Sequence, residues 1–263
     1  MPSGCDTPAV VVEHLSVRYR RRVRTGGTGL LTRARWGGTT RPVEALRDVS
    51  FAVPRGVTFA VIGANGAGKS TLLRTVAGNL APSEGQVTVR GRAMPMLARG
   101  VGFNRELTGR ENLFLGGLAA GLDVDDARRL VPRVEAFAEL GDFIDSPLRS
   151  YSTGMSSRLA FSLAVHLDPQ VLLIDEGLSA GDAYFKAKTL EKMRQLCAED
   201  RTVLLVTHAM GVVKTWADEA LWLHRGEVRN VGPPTGIVEE YLAHQGVDTA
   251  TDAEAEAAAE EDL

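Results

Sequence analysis

A short apolar run, Val57–Ile62, leads directly into a glycine-rich loop that ends in a lysine and two hydroxyl residues. The loop reads Gly63-Ala64-Asn65-Gly66-Ala67-Gly68-Lys69-Ser70-Thr71 and fits G-x-x-x-x-G-K-[ST] at every fixed position. Glycines let successive backbone N–H groups point at a phosphate, and a following helix presents its positive end to the same anion. The segment therefore predicts a buried strand, a phosphate-binding loop and a helix.

The side chains at the end of this loop suit a nucleoside triphosphate. Lys69 supplies a compact positive charge to the β- and γ-phosphates, and the Ser70 hydroxyl is a ligand for Mg²⁺. A second apolar run, Val171–Ile174, ends in Asp175 and Glu176. We expect Asp175 to hold Mg²⁺ through water and Glu176 to act as the general base that polarises the attacking water. Strands often end in solvated acids, but the loop upstream favours the catalytic interpretation.

Hydrophobic periodicity predicts alternating strands and helices, and hence a parallel core sheet. A helical block between Gly100 and about Leu167 interrupts the alternation, and Pro132 is expected to start or kink a helix within it. The expected strands are Val10–Val17, Val43–Val53, Val57–Ile62, Gly85–Arg90, Val171–Ile174, Thr202–Val206 and Glu219–Leu223. The expected helices are Lys69–Leu80, Arg110–Leu122, Asp125–Leu140, Gly154–Leu167, Ala183–Cys197, Met210–Ala217 and Val238–His244.

Charge and cysteine content exclude several other classes of protein. The net charge is only −3, which is not typical of a nucleic-acid binder, and the two cysteines have no disulfide or zinc spacing. No segment reaches the ~20 apolar residues that span a bilayer, and the N-terminus does not resemble a signal peptide. The charge is uneven: residues 18–41 hold eight arginines and no acid, and residues 248–263 hold seven acids and no base. We expect the acidic tail to be disordered.

Tyr151-Ser152-Thr153-Gly154-Met155, followed by a predicted helix, resembles the signature segment of ABC ATPases, Leu-Ser-Gly-Gly-Gln in its common form. Ser152 and Gly154 match that form, and the other three residues depart from it. A serine hydroxyl and a glycine N–H at a helix N-terminus can clamp a γ-phosphate. In the family this phosphate belongs to the ATP on the other subunit, so the resemblance implies a head-to-tail dimer with two shared sites.

Three further segments follow in the order that the family has them. Ser179-Ala180-Gly181-Asp182 resembles its dimer-contacting loop, and His208 resembles its histidine that senses the γ-phosphate. Tyr19 follows the first predicted strand, where the family stacks an aromatic ring on adenine. The family's glutamine between the phosphate loop and the signature is missing, because no Gln occurs from Val87 to Leu167.

The resemblance implies an α/β fold, a P-loop NTPase ABC cassette with a RecA-like core, an antiparallel β-subdomain and an inserted helical subdomain. The cassette would span residues 1–247, and residues 248–263 would form the acidic tail. The implied cofactors are ATP and Mg²⁺. ATP would lie between Tyr19, Lys69 and Ser70 of one subunit and Ser152 and Gly154 of its partner. The implied partners are a second, identical ATPase subunit and integral membrane permease subunits.

Residues 102–112 and 181–188 resemble the branch whose members export O-antigens, teichoic acids and related glycans. This implies a lipid-linked glycan handled through the permease, at the cytoplasmic face of the cell membrane. Some members carry an additional C-terminal glycan-reading module, which we do not expect here. We interpret residues 18–41 as a loop or hairpin that faces anionic lipid or is simply solvated.

Three alternative functions remain open at the level of sequence. The chain could serve an ABC importer or exporter of small molecules, which would share every catalytic residue. It could be an ABC protein that acts on ribosomes or DNA, although such proteins typically carry two cassettes or a coiled-coil insertion. It could also be an NTP-binding regulator that does not turn over ATP.

Overall fold

The computed structural model describes residues 7–23, 39–96, 103–167, 169–175, 183–198 and 201–246. Nine strands lie in these segments: β1 Val10–Val23, β2 Thr39–Val53, β3 Thr58–Ile62, β4 Glu84–Val89, β5 Ala93–Met96, β6 Val171–Ile174, β7 Thr202–Val206, β8 Glu219–His224 and β9 Glu227–Gly232. Seven α-helices accompany them: α1 Lys69–Val76, α2 Gly109–Ala119, α3 Val124–Ala138, α4 Thr153–His166, α5 Ala183–Ala198, α6 Met210–Trp216 and α7 Pro234–Gln245. Short 3₁₀ turns occupy Gly141–Asp145 and Leu148–Ser150.

The core is a six-stranded sheet in the order β5-β6-β7-β3-β8-β9. Its first five strands run parallel and β9 is antiparallel to β8, so the predicted parallel core sheet is confirmed with an antiparallel edge. Strand β3 lies near the middle and all five of its residues are buried. Continuous burial on both faces explains why β3 is apolar from Phe59 to Ile62.

Alternate residues of β3 contact the two layers that cover the sheet. Phe59 and Val61 pack against α1 and a second, antiparallel sheet of order β2-β1-β4. Ala60 and Ile62 point to the opposite face and pack against α6 and α7. The core sheet is therefore sandwiched between an antiparallel sheet and helices.

Helices α2, α3 and α4 share a hydrophobic cluster of their own, which includes Leu113, Val134 and Leu159. This cluster is the core of the helical block that the sequence predicted between residues 100 and 167. Pro132 lies inside α3, which continues from Val124 to Ala138, so the prediction that a new helix starts there was wrong. Pro132 is on the exposed side of α3, where water can satisfy the carbonyl that loses its hydrogen bond.

The basic stretch is partly a hairpin. Strands β1 and β2 remain paired from Arg18 opposite Glu44 to Val23 opposite Thr39, well beyond the predicted end of the first strand. Residues 24–38 between them lie outside the described part of the chain. No helix among the described residues is long and apolar enough to cross a membrane.

Candidate functional site

The loop Gly63–Gly68 follows β3 at the carboxyl edge of the core sheet. Gly63 has φ +151°, and a Cβ on it would lie 2.2 Å from the carbonyl oxygen of Leu223. A Cβ on Gly68, at φ +110°, would lie 2.6 Å from the carbonyl oxygen of Ala45. Only glycine fits at both positions, because the neighbouring backbone is already within contact distance. This close approach gives the loop its curvature.

The turn between β8 and β9 supports the loop from behind. The N–H of Gly226 donates to the carbonyl oxygen of Ala67 over 2.9 Å, and Arg47 donates its own N–H to Gly226 over 2.8 Å. Gly68 caps α1 without any side-chain hydrogen bond. The first N–H groups of α1 therefore have no capping side chain and are available to an anion.

Lys69, the first residue of α1, is 6% exposed, and its side chain reaches back to the start of the loop. Its Nζ donates to the carbonyl oxygens of Gly63 over 2.5 Å and Ala64 over 3.2 Å. It also lies 3.2 Å from Nε2 of His208, which comes two residues after β7. Because an ammonium can only donate, Nε2 of His208 is the acceptor in this contact. The two residues, 139 positions apart, meet because β3 and β7 are neighbours in the sheet.

Asp175 and Ser70 border the same edge of the sheet. Asp175 directly follows β6 and is half-buried, and Ser70 is exposed in the first turn of α1. Glu176 and residues 179–182 lie outside the described residues. Among the residues described, no group of three or more His, Cys, Asp or Glu side chains could hold a metal. A hydroxyl and one carboxylate suit Mg²⁺, which usually keeps several waters and takes phosphate oxygens as ligands.

Tyr19 contacts the residues that follow this loop, whereas the signature segment makes no hydrogen bond to it among the described residues. The Tyr19 hydroxyl lies 3.3 Å from Oγ1 of Thr71, and its ring is 36% exposed beside the loop. Ser152 instead caps α4, where its Oγ accepts from the N–H of Met155 over 3.1 Å. Among the described residues, neither Ser152 nor Gly154 has a hydrogen bond to the loop. Within one chain the structure thus joins Tyr19, Lys69 and His208 and leaves the signature segment apart.

Tyr151, a departure from the common signature, has a structural contact. Its hydroxyl donates to the carbonyl oxygen of Phe143 over 2.6 Å and lies where a Cβ of Gly109 would be. Burial, and then the negative charge of Asp145, raise the pKa of Tyr151, so the hydroxyl remains a donor. Tyr151 therefore attaches the start of the signature segment to the beginning of α2.

The most densely bonded polar residue near the signature is Asn112, which the sequence analysis missed. Asn112 is 2% exposed, accepts from the N–H of Asn104 over 2.7 Å and donates to the carbonyl oxygens of Asn104, Leu107 and Thr108. Leu107 in turn accepts from the N–H of Leu148 over 2.9 Å. Asn112 thereby holds loop 103–108, the described part of the region from which the family's glutamine is missing.

Thr108 and Arg110 secure the same corner of the helical block. Thr108 and Glu111 form a reciprocal capping box at the start of α2. The guanidinium of Arg110 lies 2.7 Å from Glu135 and 2.8 Å from Asp145, and it lowers the pKa of Asp145. The Thr-x-x-Glu spacing could have predicted the box, whereas nothing in the sequence indicates the partners of Asn112 or Arg110.

Replacing Asn112 with alanine is expected to lower the free energy of unfolding by about 2–4 kcal/mol. The change leaves the N–H of Asn104 without its acceptor, which costs about 1–3 kcal/mol. It also removes the amide's hydrogen bonds to three carbonyls that keep their backbone donors, each of which contributes about 0.5–1.5 kcal/mol. Asn230→Ala is the matched control, because the Asn230 side chain bonds Glu240 at the exposed surface. Urea unfolding measures both variants. A midpoint for Asn112→Ala equal to that of the control would contradict this assignment.

Comparison with known proteins agrees with the fold and the loop described above. Residues 46–179, about half of the 263-residue chain, match the family model described as ABC transporter. The O-antigen export system ATP-binding protein RfbB of Myxococcus xanthus is 39% identical over 249 residues, which cover 92% of this chain and 56% of that protein. The teichoic acids export ATP-binding protein TagH of Shouchella clausii (strain KSM-K16) is 40% identical over 201 residues, covering 76% and 56%.

The chain thus spans little more than half the length of these two relatives. Among solved structures, one described as an ATP-binding subunit of an ABC transporter superimposes with a TM-score of 0.69 at 26% identity, covering 89% of this chain and 93% of that one. The chain belongs to the ABC transporter family and has the fold of its ATPase cassettes.

Proposed function

We propose that this chain binds and hydrolyses MgATP as a subunit of an ABC transporter that exports a lipid-linked polysaccharide across the cytoplasmic membrane. The observation that carries the ATPase part is the convergence of Lys69 and His208 on the loop after β3. The branch is supported by the names of the relatives, which refer to export of O-antigen and teichoic acids. The cargo would be a polymer of that class.

In this proposal the γ-phosphate of ATP enters between Lys69 and His208. The ammonium of Lys69 would exchange its bonds to the Gly63 and Ala64 carbonyls for anionic oxygens, which bind it more strongly. Backbone N–H groups of Gly63–Thr71 would bind the phosphates together with the positive end of α1. Mg²⁺, when bound, neutralises charge on the phosphates, and Ser70 and Asp175 would hold it.

Ser152 and Gly154 make no hydrogen bond to the loop among the described residues of the single chain, which supports a site shared with a second subunit. We propose that two chains pair head to tail and that Ser152 and Gly154 of one contact the ATP bound by Lys69 of the other. Permease subunits would hold this dimer at the cytoplasmic face of the cell membrane. The arginines of residues 18–41 remain candidates for contact with anionic lipid.

Replacing Tyr19 with alanine is expected to weaken binding of MgADP by about 10- to 100-fold, because stacking of a base on an aromatic ring contributes about 1–3 kcal/mol. Tyr19→Phe keeps the ring and loses only the exposed contact to Thr71, so its affinity should remain within about twofold of the wild type. Isothermal titration with MgADP measures both. Equal affinities for the alanine and phenylalanine variants would exclude stacking by Tyr19.

Depletion of the chain in its host tests the transport proposal. We expect polyprenyl-linked glycan to accumulate on the cytoplasmic side of the membrane while the surface polymer is lost. A normal surface polymer with no accumulation would leave the ATPase proposal intact and favour the alternative, an ABC transporter of small molecules. Purified protein that binds ATP without turning it over would instead contradict the ATPase part.

A further inference from the structure

A cleft of about 530 Å³ opens on the side of the core sheet opposite to the loop Gly63–Gly68. Arg92 and Gln170, at its base, directly precede the parallel strands β5 and β6, whereas Asp175 follows β6 at the other end. Strand β6 has four residues, so about 13 Å of sheet separates the two edges. The cleft is therefore a different place from the nucleotide site, between the sheet and the helical block.

The base of the cleft is held in place by backbone contacts. The Arg92 N–H donates to Oε1 of Gln170 over 3.0 Å, and the N–H groups of Gln170 and Val171 each lie 3.1 Å from the Arg92 carbonyl oxygen. Gly91 has φ +113°, and a Cβ there would lie 2.3 Å from Oε1 of Gln170. Since Oε1 is occupied, Gln170 can present its amide N–H groups to the cleft.

The polar lining is mainly basic. Three arginines, Arg92, Arg129 and Arg133, line the cleft with His166, and Asp126 is the only acid among the described lining residues. Arg129 bonds Asp126 over 2.6 Å, which leaves Arg92 and Arg133 without a carboxylate in the cleft. Three leucines complete the lining and give it an apolar part.

His166 lines the cleft and also makes a hydrogen bond within its own helix, α4. Its Nδ1 donates to the carbonyl oxygen of Ser162 over 2.7 Å, so Nε2 is the nitrogen left for a ligand. Burial lowers the pKa of His166, and the positive charges of Arg133 on α3 and of Lys192 and Lys188 on α5 lower it further. The ring of Phe137 packs against that of His166 in a T-shaped contact, with centroids 5.2 Å apart. Burial and the neighbouring cations thus favour the neutral form of the ring, and the hydrogen bond to Ser162 offsets part of this effect.

We propose that this cleft binds a phosphate group, with Arg92, Arg129 and Arg133 providing the charge and His166 and Gln170 donating hydrogen bonds. Guanidinium groups match phosphate oxygens in pairs, and a volume of this size accommodates a small organic phosphate beside the leucines. A bound dianion offsets the cations around His166 and favours its protonated form, in which Nε2 becomes a donor. The inference does not depend on which cargo the transporter exports.

The chain contains a closely matched control for this site. Arg128 and Arg129 are neighbours on α3, their side chains are both 69% exposed, and each pairs with an aspartate three residues earlier. Only Arg129 lines the cleft. Arg129→Gln combined with Arg133→Gln therefore tests the site, and Arg128→Gln tests the loss of a similar surface charge elsewhere on α3.

The experiment titrates inorganic phosphate into the full chain saturated with MgADP, at constant ionic strength, and follows the imidazole NMR signals of His166. We expect saturable shifts in the wild type and in Arg128→Gln. We expect affinity to fall at least about tenfold in Arg129→Gln/Arg133→Gln, as loss of a charge-assisted hydrogen bond predicts. A pH titration at a fixed concentration of sulfate, whose charge stays constant over the pH range, should give a higher pKa for His166 than a titration without sulfate.

A second arm identifies the source of the phosphate group. Wild-type protein is sedimented with vesicles of phosphatidylglycerol and phosphatidylcholine, with and without added phosphate. Binding lost in Arg129→Gln/Arg133→Gln and not in Arg128→Gln would assign the cleft to a lipid headgroup, and a response to phosphate alone would assign it to a soluble metabolite. No response of His166 and no vesicle binding, or equal losses in both variants, would overturn the proposal.

Discussion

Glu176→Gln is expected to reduce ATP hydrolysis by about 100- to 10,000-fold, the usual contribution of a general base, while ATP binding persists. Glu176 follows Asp175 in the sequence, and glutamine keeps its size but cannot accept the proton of the attacking water. We expect the variant to accumulate as an ATP-bound dimer, because in the proposed mechanism the dimer opens after hydrolysis. Light scattering after gel filtration should show a dimer with MgATP and a monomer with MgADP.

Two comparisons make this result specific. Glu191→Gln removes a carboxylate from α5 that, within the described part of the chain, bonds its helix neighbours Arg194 and Gln195, and it should hydrolyse ATP normally. Adding Ser152→Ala to Glu176→Gln should weaken the ATP-dependent dimer, since the proposed contact with the partner's ATP is lost. Thr108→Ala on the same background removes another helix cap of the same block and should leave the dimer intact. Wild-type turnover by Glu176→Gln would refute the role of Glu176.

Lys69→Met is expected to lower the rate of ATP hydrolysis by about 100- to 1,000-fold, the effect of removing one preorganised charge from a transition state. Methionine retains most of the apolar stem that is buried at the start of α1, so the variant should still fold. Steady-state hydrolysis measures the loss, and urea unfolding verifies the fold. Lys214→Ala, an exposed lysine in the last turn of α6, is the control.

An Lys69→Met variant that folds normally and hydrolyses ATP within about tenfold of the wild type would contradict the role of Lys69. A variant that fails to fold would direct attention to the carbonyls of Gly63 and Ala64, which bind the ammonium in the structure. In that case Lys69→Arg, which keeps the charge and changes its shape, separates charge from stability.

Local sequence was sufficient to predict those elements whose burial is uniform along their length. Strands β6 and β7 have the predicted bounds, because a continuous apolar run can pack only between two layers. The loop Gly63–Thr71 could likewise be predicted from the sequence, because its fixed residue types are those that a phosphate-binding loop needs, and Gly63 and Gly68 lie against neighbouring backbone. The predicted ABC fold was confirmed. It could be predicted because the motifs of the family occur in a fixed order along the chain.

Elements whose pairing depends on the backbone were harder to predict. Strand β9 has exposed and half-buried residues with no apolar run, and it forms because β8 offers it an antiparallel edge. Strand β1 extends through Arg20–Val23 because backbone hydrogen bonds to β2 do not require apolar side chains. The short β5 likewise pairs with β6 and was not predicted.

The fold class, the glycine-rich loop and the family could all be predicted from the amino-acid sequence, because each depends on short motifs of neighbouring residues. Which distant side chains meet depends on the tertiary structure: Lys69 contacts His208, and Arg110 contacts Glu135 and Asp145. The tertiary structure also determines that Arg92, Arg133 and His166 line one cleft. Such contacts arise from strand order and helix packing, which place residues far apart in the chain within a few ångströms of each other.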